Sequence, residues 1–339
     1  MTAKPINVAI TGAAGQLGYN LGFRLAARSW GDNKVRLQLL ELPGKMKELE
    51  GVAMELHDGV FDFLDSVDIT DNPMEAFRDA NVAVLVGAHP RTVGMERADL
   101  LTANGRIFAA HGRAINEVAA DDVHVLVGGN PVNTNALVLA EHAPRVPKNR
   151  VNALLRLDHN RAIYQLAKHA GAPTTSVKRV TVWGNHSRTA YPDIFHAEVG
   201  GHAAAQYADD RKWLAGEFIP TVANRGADVL ATRGASSQGS AAQAILDHLR
   251  DWYIGTPQDG TAPTGTGHPP GDWTSVGLWS QGEYGVPEGL VFGFPVTSNG
   301  GDWSIVEGLE INQFSRTRIE ASINELVDER AQVQALGLI

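Results

Sequence analysis

His186 stands in the segment Trp183-Gly-Asn-His-Ser187, a polar turn directly after an apolar run. An imidazole there, oriented by a carboxylate from another segment, suits proton transfer near neutral pH. The chain has 12 histidines, and most rings of this kind are structural or simply exposed. Asp158 and Arg161 lie one helical turn apart in LDHNR, on the same face of any helix formed there. Their plain alternative is a local ion pair. Arg91 and Arg97 sit in the loop GAHPRTVGMER, which Pro90 and Gly94 make hinge-capable, as lids over binding sites are. Singly, each is an ordinary surface cation. Together the set offers a base for a hydroxyl proton, guanidinium forks for carboxylates, and a cation for charge developing on a carbonyl oxygen.

Such groups need a reaction partner, and the amino-terminal stretch Ile6 to Leu25, INVAITGAAGQLGYNLGFRL, points to one. Ile6, Val8 and Ile10 alternate as in a strand, Gly12, Gly15 and Gly18 follow in a tight turn, and Leu17, Leu21 and Leu25 line one helical face. Strand, glycine turn and helix form the dinucleotide-binding fingerprint. Glycines let the backbone bend sharply and approach a pyrophosphate, and the helix N-terminus offers N–H groups and partial positive charge. The match to the fingerprint is imperfect, because Ala13 stands where a glycine is usual. Downstream, VRLQLLELPG places Glu41 at the end of a hydrophobic run, 23 residues after Gly18 and close to the interval of roughly 20 at which a carboxylate accepts ribose hydroxyls. It also repels a 2′-phosphate, which favours NAD over NADP. A hydride exchanged between a secondary alcohol and a nicotinamide ring would use every group named so far.

The elements that must position these residues alternate along the first half of the chain. Residues 45–58 have helical spacing; Val67 to Thr70, Asn81 to Val86, His124 to Val127 and Val151 to Leu155 read as strands. A long helix runs from the arginine loop to about Ala120, and another covers Thr134 to His142. Short connections between alternating strands and helices predict an α/β Rossmann domain with a doubly wound parallel sheet, residues 1–155. From residue 156 to 339 the texture is that of an α+β substrate domain. It includes a helix ended by Gly171, a strand within VKRVTVW, a long Ala-rich helix over residues 217–251, a strand-like run LVFGFPV and a final amphipathic helix from about Ile311 to Leu336. Residues 255–272, rich in Gly, Pro and Thr, read as an exposed loop.

Bulk properties exclude several classes. At 339 residues, 43% hydrophobic and 20% charged, the chain has the composition of a two-domain globular protein, with no apolar run long enough to span a bilayer. The start MTAKPINV lacks the layout of a signal peptide. There is no cysteine, so disulfides and thiolate metal sites are impossible. A formal net charge of −9 argues against general nucleic-acid or membrane-surface binding. The expectation is a cytoplasmic protein without a metal.

TGAAGQLGYNL, GAHPRTVGMERADLL, GGNPVNTNALV, RLDHNRA and WGNHS, in this order and spacing, resemble the malate dehydrogenases of the cytosolic-type branch, within the lactate/malate dehydrogenase superfamily. The likeness runs from Val8 to the terminal GLI. It implies reversible, NAD-dependent interconversion of malate and oxaloacetate, a step of the tricarboxylic acid cycle, by a homodimer with the helix at Val52 to Asp58 in its interface. By the same resemblance His186 is the proton acceptor and Asp158 the carboxylate that orients it. Arg161 clamps the carboxylate beside the reacting carbon, Arg97 polarises the carbonyl and Arg91 binds the far carboxylate. Asn130 positions substrate and nicotinamide. Gly12, Ala13, Ala14, Gly15, Gln16, Leu17, Gly18, Glu41, Asn104, His111, Gly128, Gly129 and Asn130 hold NAD, although His111 departs from the glutamine of the family pattern. In the related lactate dehydrogenases the position of Arg91 resembles a glutamine, which cannot pair bidentately with a second carboxylate. The nearest alternative is a lactate-type 2-hydroxyacid dehydrogenase. An NAD-using glycosidase is disfavoured by the lack of cysteine, and a non-catalytic NAD sensor has no need of the histidine and arginine set.

Overall fold

The computed structural model describes residues 4–27, 33–89, 97–257 and 271–339. The chain divides into two compact units. The first comprises residues 1–153 with 241–246 and 328–339, and the second comprises 154–240 with 247–327. A single cut near residue 155 therefore omits two returns of the chain to the first unit. Sequence pattern marks where a helix lies but not which core takes it.

In the first unit, β1 (Ile6–Thr11) leads through the glycine turn into α1 (Gln16–Ala26), followed by β2 (Val35–Leu40), α2 (Met46–Asp58), β3 (Leu64–Thr70) and the short α3 (Pro73–Ala76). Then come β4 (Val82–Leu85), α4 (Arg97–Val118), β5 (His124–Val127), α5 (Val132–Glu141) and β6 (Val151–Ala153). All six strands run parallel in the order β6-β5-β4-β1-β2-β3. The order reverses direction between β1 and β4, and ligands of such sheets bind beyond the carboxyl ends at that point. β1, β4 and β5 are buried along their whole length, which explains their unbroken apolar runs. Gly112 lets α4 cross α5 closely, since a Cβ there would lie 2.7 Å from the Leu139 carbonyl oxygen. Beside that crossing Leu101, Ala109 and Val138 bury Val333 and Leu338 of the returning C-terminus.

The second unit opens with α6 (Arg156–Ala170), which ends on Gly171 in the left-handed conformation, φ 63°. Next are β7 (Val177–Lys178), β8 (Thr181–Trp183), β9 (Tyr191–Asp193), β10 (Glu198–Val199) and β11 (His202–Ala203). β7, β10 and β11 form a small antiparallel sheet, while β8 pairs with β9. The expected single strand in VKRVTVW is thus two, divided at Arg179, whose φ is 62°. The single turn α7 (Arg211–Trp213) passes through a π-helical turn at Leu214–Phe218 into α8 (Ile219–Arg233). α9 (Gly239–Ile254) follows, then the antiparallel β12 (Thr274–Trp279), β13 (Val291–Ser298) and β14 (Trp303–Ile305), and last α10 (Gln313–Ala335). The long helix expected over 217–251 is interrupted: Gly234, with φ 73°, ends α8, and α9 starts anew. Most of the Gly/Pro-rich segment, residues 258–270, lies outside the described residues.

Candidate active site

The turn after β1 is built for close approach. Gly12 has φ 66°, and a Cβ on it would lie 2.6 Å from the Gly87 Cα, two residues past β4. A Cβ on Gly18 would meet the Gly12 carbonyl oxygen at 2.5 Å, so α1 packs directly on the turn. Ala13, buried at 1% exposure, tolerates a methyl where the fingerprint has glycine. No side chain caps α1 at Gly15 and no acidic residue stands in its first turn, so the N–H groups around Gln16 and Leu17 face no carboxylate of their own segment. Glu41 rises at the lip of this turn: its Oε2 accepts from the Ala14 N–H at 3.0 Å and its Oε1 from the Leu42 N–H at 2.9 Å. A backbone cradle for phosphates beside a fixed carboxylate for ribose hydroxyls fits NAD.

Two further loops of this unit are tied together by Asn104. Its Oδ1 accepts from the His89 N–H at 2.7 Å, and its Nδ2 donates to the carbonyls of His89 and Asn130 at 3.2 and 2.9 Å. The fully buried amide thereby joins the loop after β4 to the loop after β5, a positioning role that its sequence context did not reveal. Gly128 and Gly129 both donate to the Leu85 carbonyl, and Asn135 Nδ2 donates to the Gly129 carbonyl at 2.8 Å. Asn130 is exposed and precedes a cis peptide bond to Pro131. His111 sits on α4 between the rings of Phe77 and Phe108, with centroids at 5.6 and 6.2 Å. Its Nδ1 has no hydrogen-bond partner among the described residues. Burial pushes its pKa down to about 4, so the ring is neutral.

The second unit gathers Asp158, Arg161 and His186. Asp158 enters in the first turn of α6, and Arg161 follows on the same face. One oxygen of Asp158, Oδ1, accepts from Arg161 Nη1 at 2.9 Å; the other, Oδ2, is bound by His186 Nδ1. Arg161 Nη2 reaches the Ser237 hydroxyl at 3.3 Å. The Asp158 side chain is 3% exposed, against 22% for His186. Burial alone would push the Asp158 carboxyl up, but the His186 ring and the Arg161 guanidinium outweigh it and hold the group below the usual carboxylate range. A carboxylate shared between an imidazole Nδ1 and a guanidinium is an arrangement able to hand over a proton and to pair with an anion.

The turn that carries His186 has supports which sequence inspection missed. Asn185 donates its backbone N–H to Ser322 Oγ at 2.8 Å and its side-chain amide to Glu325 Oε2 at 3.0 Å, both on α10. Their only sequence signal is a polar pair one turn apart on an amphipathic helix. Gly184 and Gly293 pair backbone to backbone, which brings the end of β8 onto β13. Arg91 lies outside the described residues, and so does the side chain of Arg97, the first residue of α4. Among the described residues no cluster of His, Asp or Glu is placed to hold a metal ion, and no helix is long and apolar enough to cross a membrane.

Residues 6–152 match the lactate/malate dehydrogenase NAD-binding domain, and residues 155–336 match the lactate/malate dehydrogenase α/β C-terminal domain. Among solved structures, the malate dehydrogenase of Naegleria fowleri is 40% identical over 100% of both chains, with a TM-score of 0.93. Trichomonas vaginalis lactate dehydrogenase, in complex with NADH and oxamate, is 32% identical over 98% of this chain and 100% of that one, with a TM-score of 0.90. At 18% identity and a TM-score of 0.80, the malate dehydrogenase of Plasmodium falciparum shares the fold, over 98% of this chain and 99% of that one. The chain belongs to the lactate/malate dehydrogenase family, and its first domain is an NAD-binding domain.

Proposed function

We propose that the chain is an NAD-dependent malate dehydrogenase that interconverts (S)-malate and oxaloacetate. The observation that carries the chemistry is the division of the Asp158 carboxylate between His186 and Arg161. NAD, when bound, supplies the hydride acceptor. In the oxidation direction His186, held at Nδ1 by Asp158, takes the hydroxyl proton at Nε2. Asp158 stays ionised, so it fixes the tautomer and stabilises the imidazolium that results. Arg161 directs its remaining donors to the carboxylate next to the reacting carbon. Arg97 polarises the carbonyl oxygen, Arg91 takes the distal carboxylate and Asn130 aids positioning. These last roles rest on the resemblance of their segments to the family.

The dicarboxylate assignment is supported by arginine at position 91 and by 40% identity to a malate dehydrogenase. A guanidinium offered to a monocarboxylate finds no second carboxylate to pair with, which penalises pyruvate. The second reading, a lactate-type enzyme, is favoured by the 32% identity to a lactate dehydrogenase that binds oxamate. Placement in the tricarboxylic acid cycle, in the cytoplasm and as a homodimer belongs to the same proposal. Replacing His186 by Asn tests the acid–base role. Turnover falls roughly 10²- to 10⁴-fold while NADH affinity is kept; unchanged turnover removes His186 from the mechanism.

A further inference from the structure

The turn bearing His186 is gripped on both flanks by one side chain. Glu325 Oε2 accepts from Asn185 Nδ2 at 3.0 Å, from the Thr189 hydroxyl at 2.6 Å and from the Ser187 hydroxyl. Asn185 precedes the imidazole residue and Ser187 follows it, so both neighbours meet the same oxygen. Ser322, one turn earlier on α10, takes the Asn185 N–H and lies 3.0 Å from Thr189 Oγ1. The approach of helix to turn is tight: at Gly184, whose φ is 95°, a Cβ would lie 2.1 Å from Ser322 Oγ. Asp158 bonds the ring at Nδ1, and the placement of the ring also follows the backbone that carries it. Holding the residues on either side of His186 therefore bears on where Nε2 points.

We infer that Glu325 is a positioning residue for the acid–base step, acting through an acceptor oxygen that holds the side chains of Asn185, Ser187 and Thr189 on both sides of His186. The inference rests on the dehydrogenase reading given above. Proton transfer depends steeply on placement, and an error on the order of 1 Å costs about 10²-fold. Because Asn185, Ser187 and Thr189 all meet Oε2, an amide with its carbonyl in that place keeps every one of those bonds. For these three bonds the acceptor oxygen is what counts.

The test uses the purified full-length chain and three variants: Glu325→Gln, Glu325→Ala, and the pair Ser187→Ala with Thr189→Val, which removes donors while leaving the carboxylate. Turnover with oxaloacetate should fall roughly 10- to 100-fold in the second and third and stay within about threefold of the parent in the first. KM for oxaloacetate and NADH affinity, read by fluorescence, should move by less than about threefold in all of them. The rate at which diethyl pyrocarbonate labels His186, followed by peptide mass spectrometry, should change in the second and third variants and not in the first. That labelling needs no substrate, so it tests Glu325 even if neither 2-oxoacid is reduced, a result that would count against the proposed function instead. Parental turnover and labelling in Glu325→Ala overturn the inference, as does equal impairment of Glu325→Gln and Glu325→Ala. Should Glu325→Ala fail to fold, the Ser187/Thr189 double variant decides between the same outcomes.

Discussion

His186 reaches Asp158 across 28 positions of sequence, and the carboxylate gives it one oxygen while Arg161 takes the other. In the proposed mechanism the two oxygens do different things, one orienting the His186 imidazole and the other steadying the Arg161 guanidinium. Asp158→Asn cannot serve both, because the amide presents an acceptor to only one partner and an N–H to the other. Turnover should fall roughly 10²- to 10⁴-fold with NADH binding unaffected. Steady-state assays beside a NADH fluorescence titration check it, and turnover within a few-fold of the parent contradicts it.

Glu41 is held by the Ala14 and Leu42 N–H groups at the lip of the glycine turn. If Glu41 takes the ribose hydroxyls as its placement proposes, Glu41→Ser removes both that acceptor and the charge that repels a 2′-phosphate. The NADH Kd should rise roughly 10- to 100-fold, and the preference for NADH over NADPH should narrow. Paired titrations with the two nucleotides measure it; an undiminished preference places discrimination elsewhere.

Burial of the neutral His111 ring predicts an acid sensitivity for the first unit. Folded, the ring stays neutral down to about pH 4, whereas in the unfolded chain it takes a proton near its ordinary value of 6.5. The unfolded state therefore binds more protons between those values. The stabilisation is full above pH 6.5 and is lost as pH falls toward 4. At about 1.4 kcal/mol per pH unit of that window, the loss comes to roughly 2–4 kcal/mol. His111→Leu fills the space between Phe77 and Phe108 without titrating, so its urea midpoint should fall less over the window. Parallel midpoint curves for parent and variant would contradict this.

Local patterns carried much of the architecture. The buried runs in β1, β4 and β5, the glycine turn and the single face of Asp158 and Arg161 all follow from residue types a few positions apart. What stayed hidden depends on distance along the chain. Nothing near His186 announces Glu325, which is more than a hundred residues away and bears an ordinary helix-surface residue type. Asn104 looks like any polar residue of an amphipathic helix, yet it is fully buried and ties two loops. The break at Gly234 was concealed by the alanines and leucines around it, which favour helix on either side. The returns of residues 241–246 and 328–339 to the first unit depend on which core the helices meet.

The substrate assignment turns on whether a second carboxylate is required. The direct measurement is NADH oxidation followed by absorbance, with oxaloacetate and pyruvate compared at equal concentration, for the parent chain and Arg91→Gln. A dicarboxylate enzyme shows kcat/KM for oxaloacetate at least about 10²-fold above pyruvate, and the glutamine variant loses most of that margin. A parent chain that reduces pyruvate as well as oxaloacetate, or a variant that keeps the full margin, contradicts it.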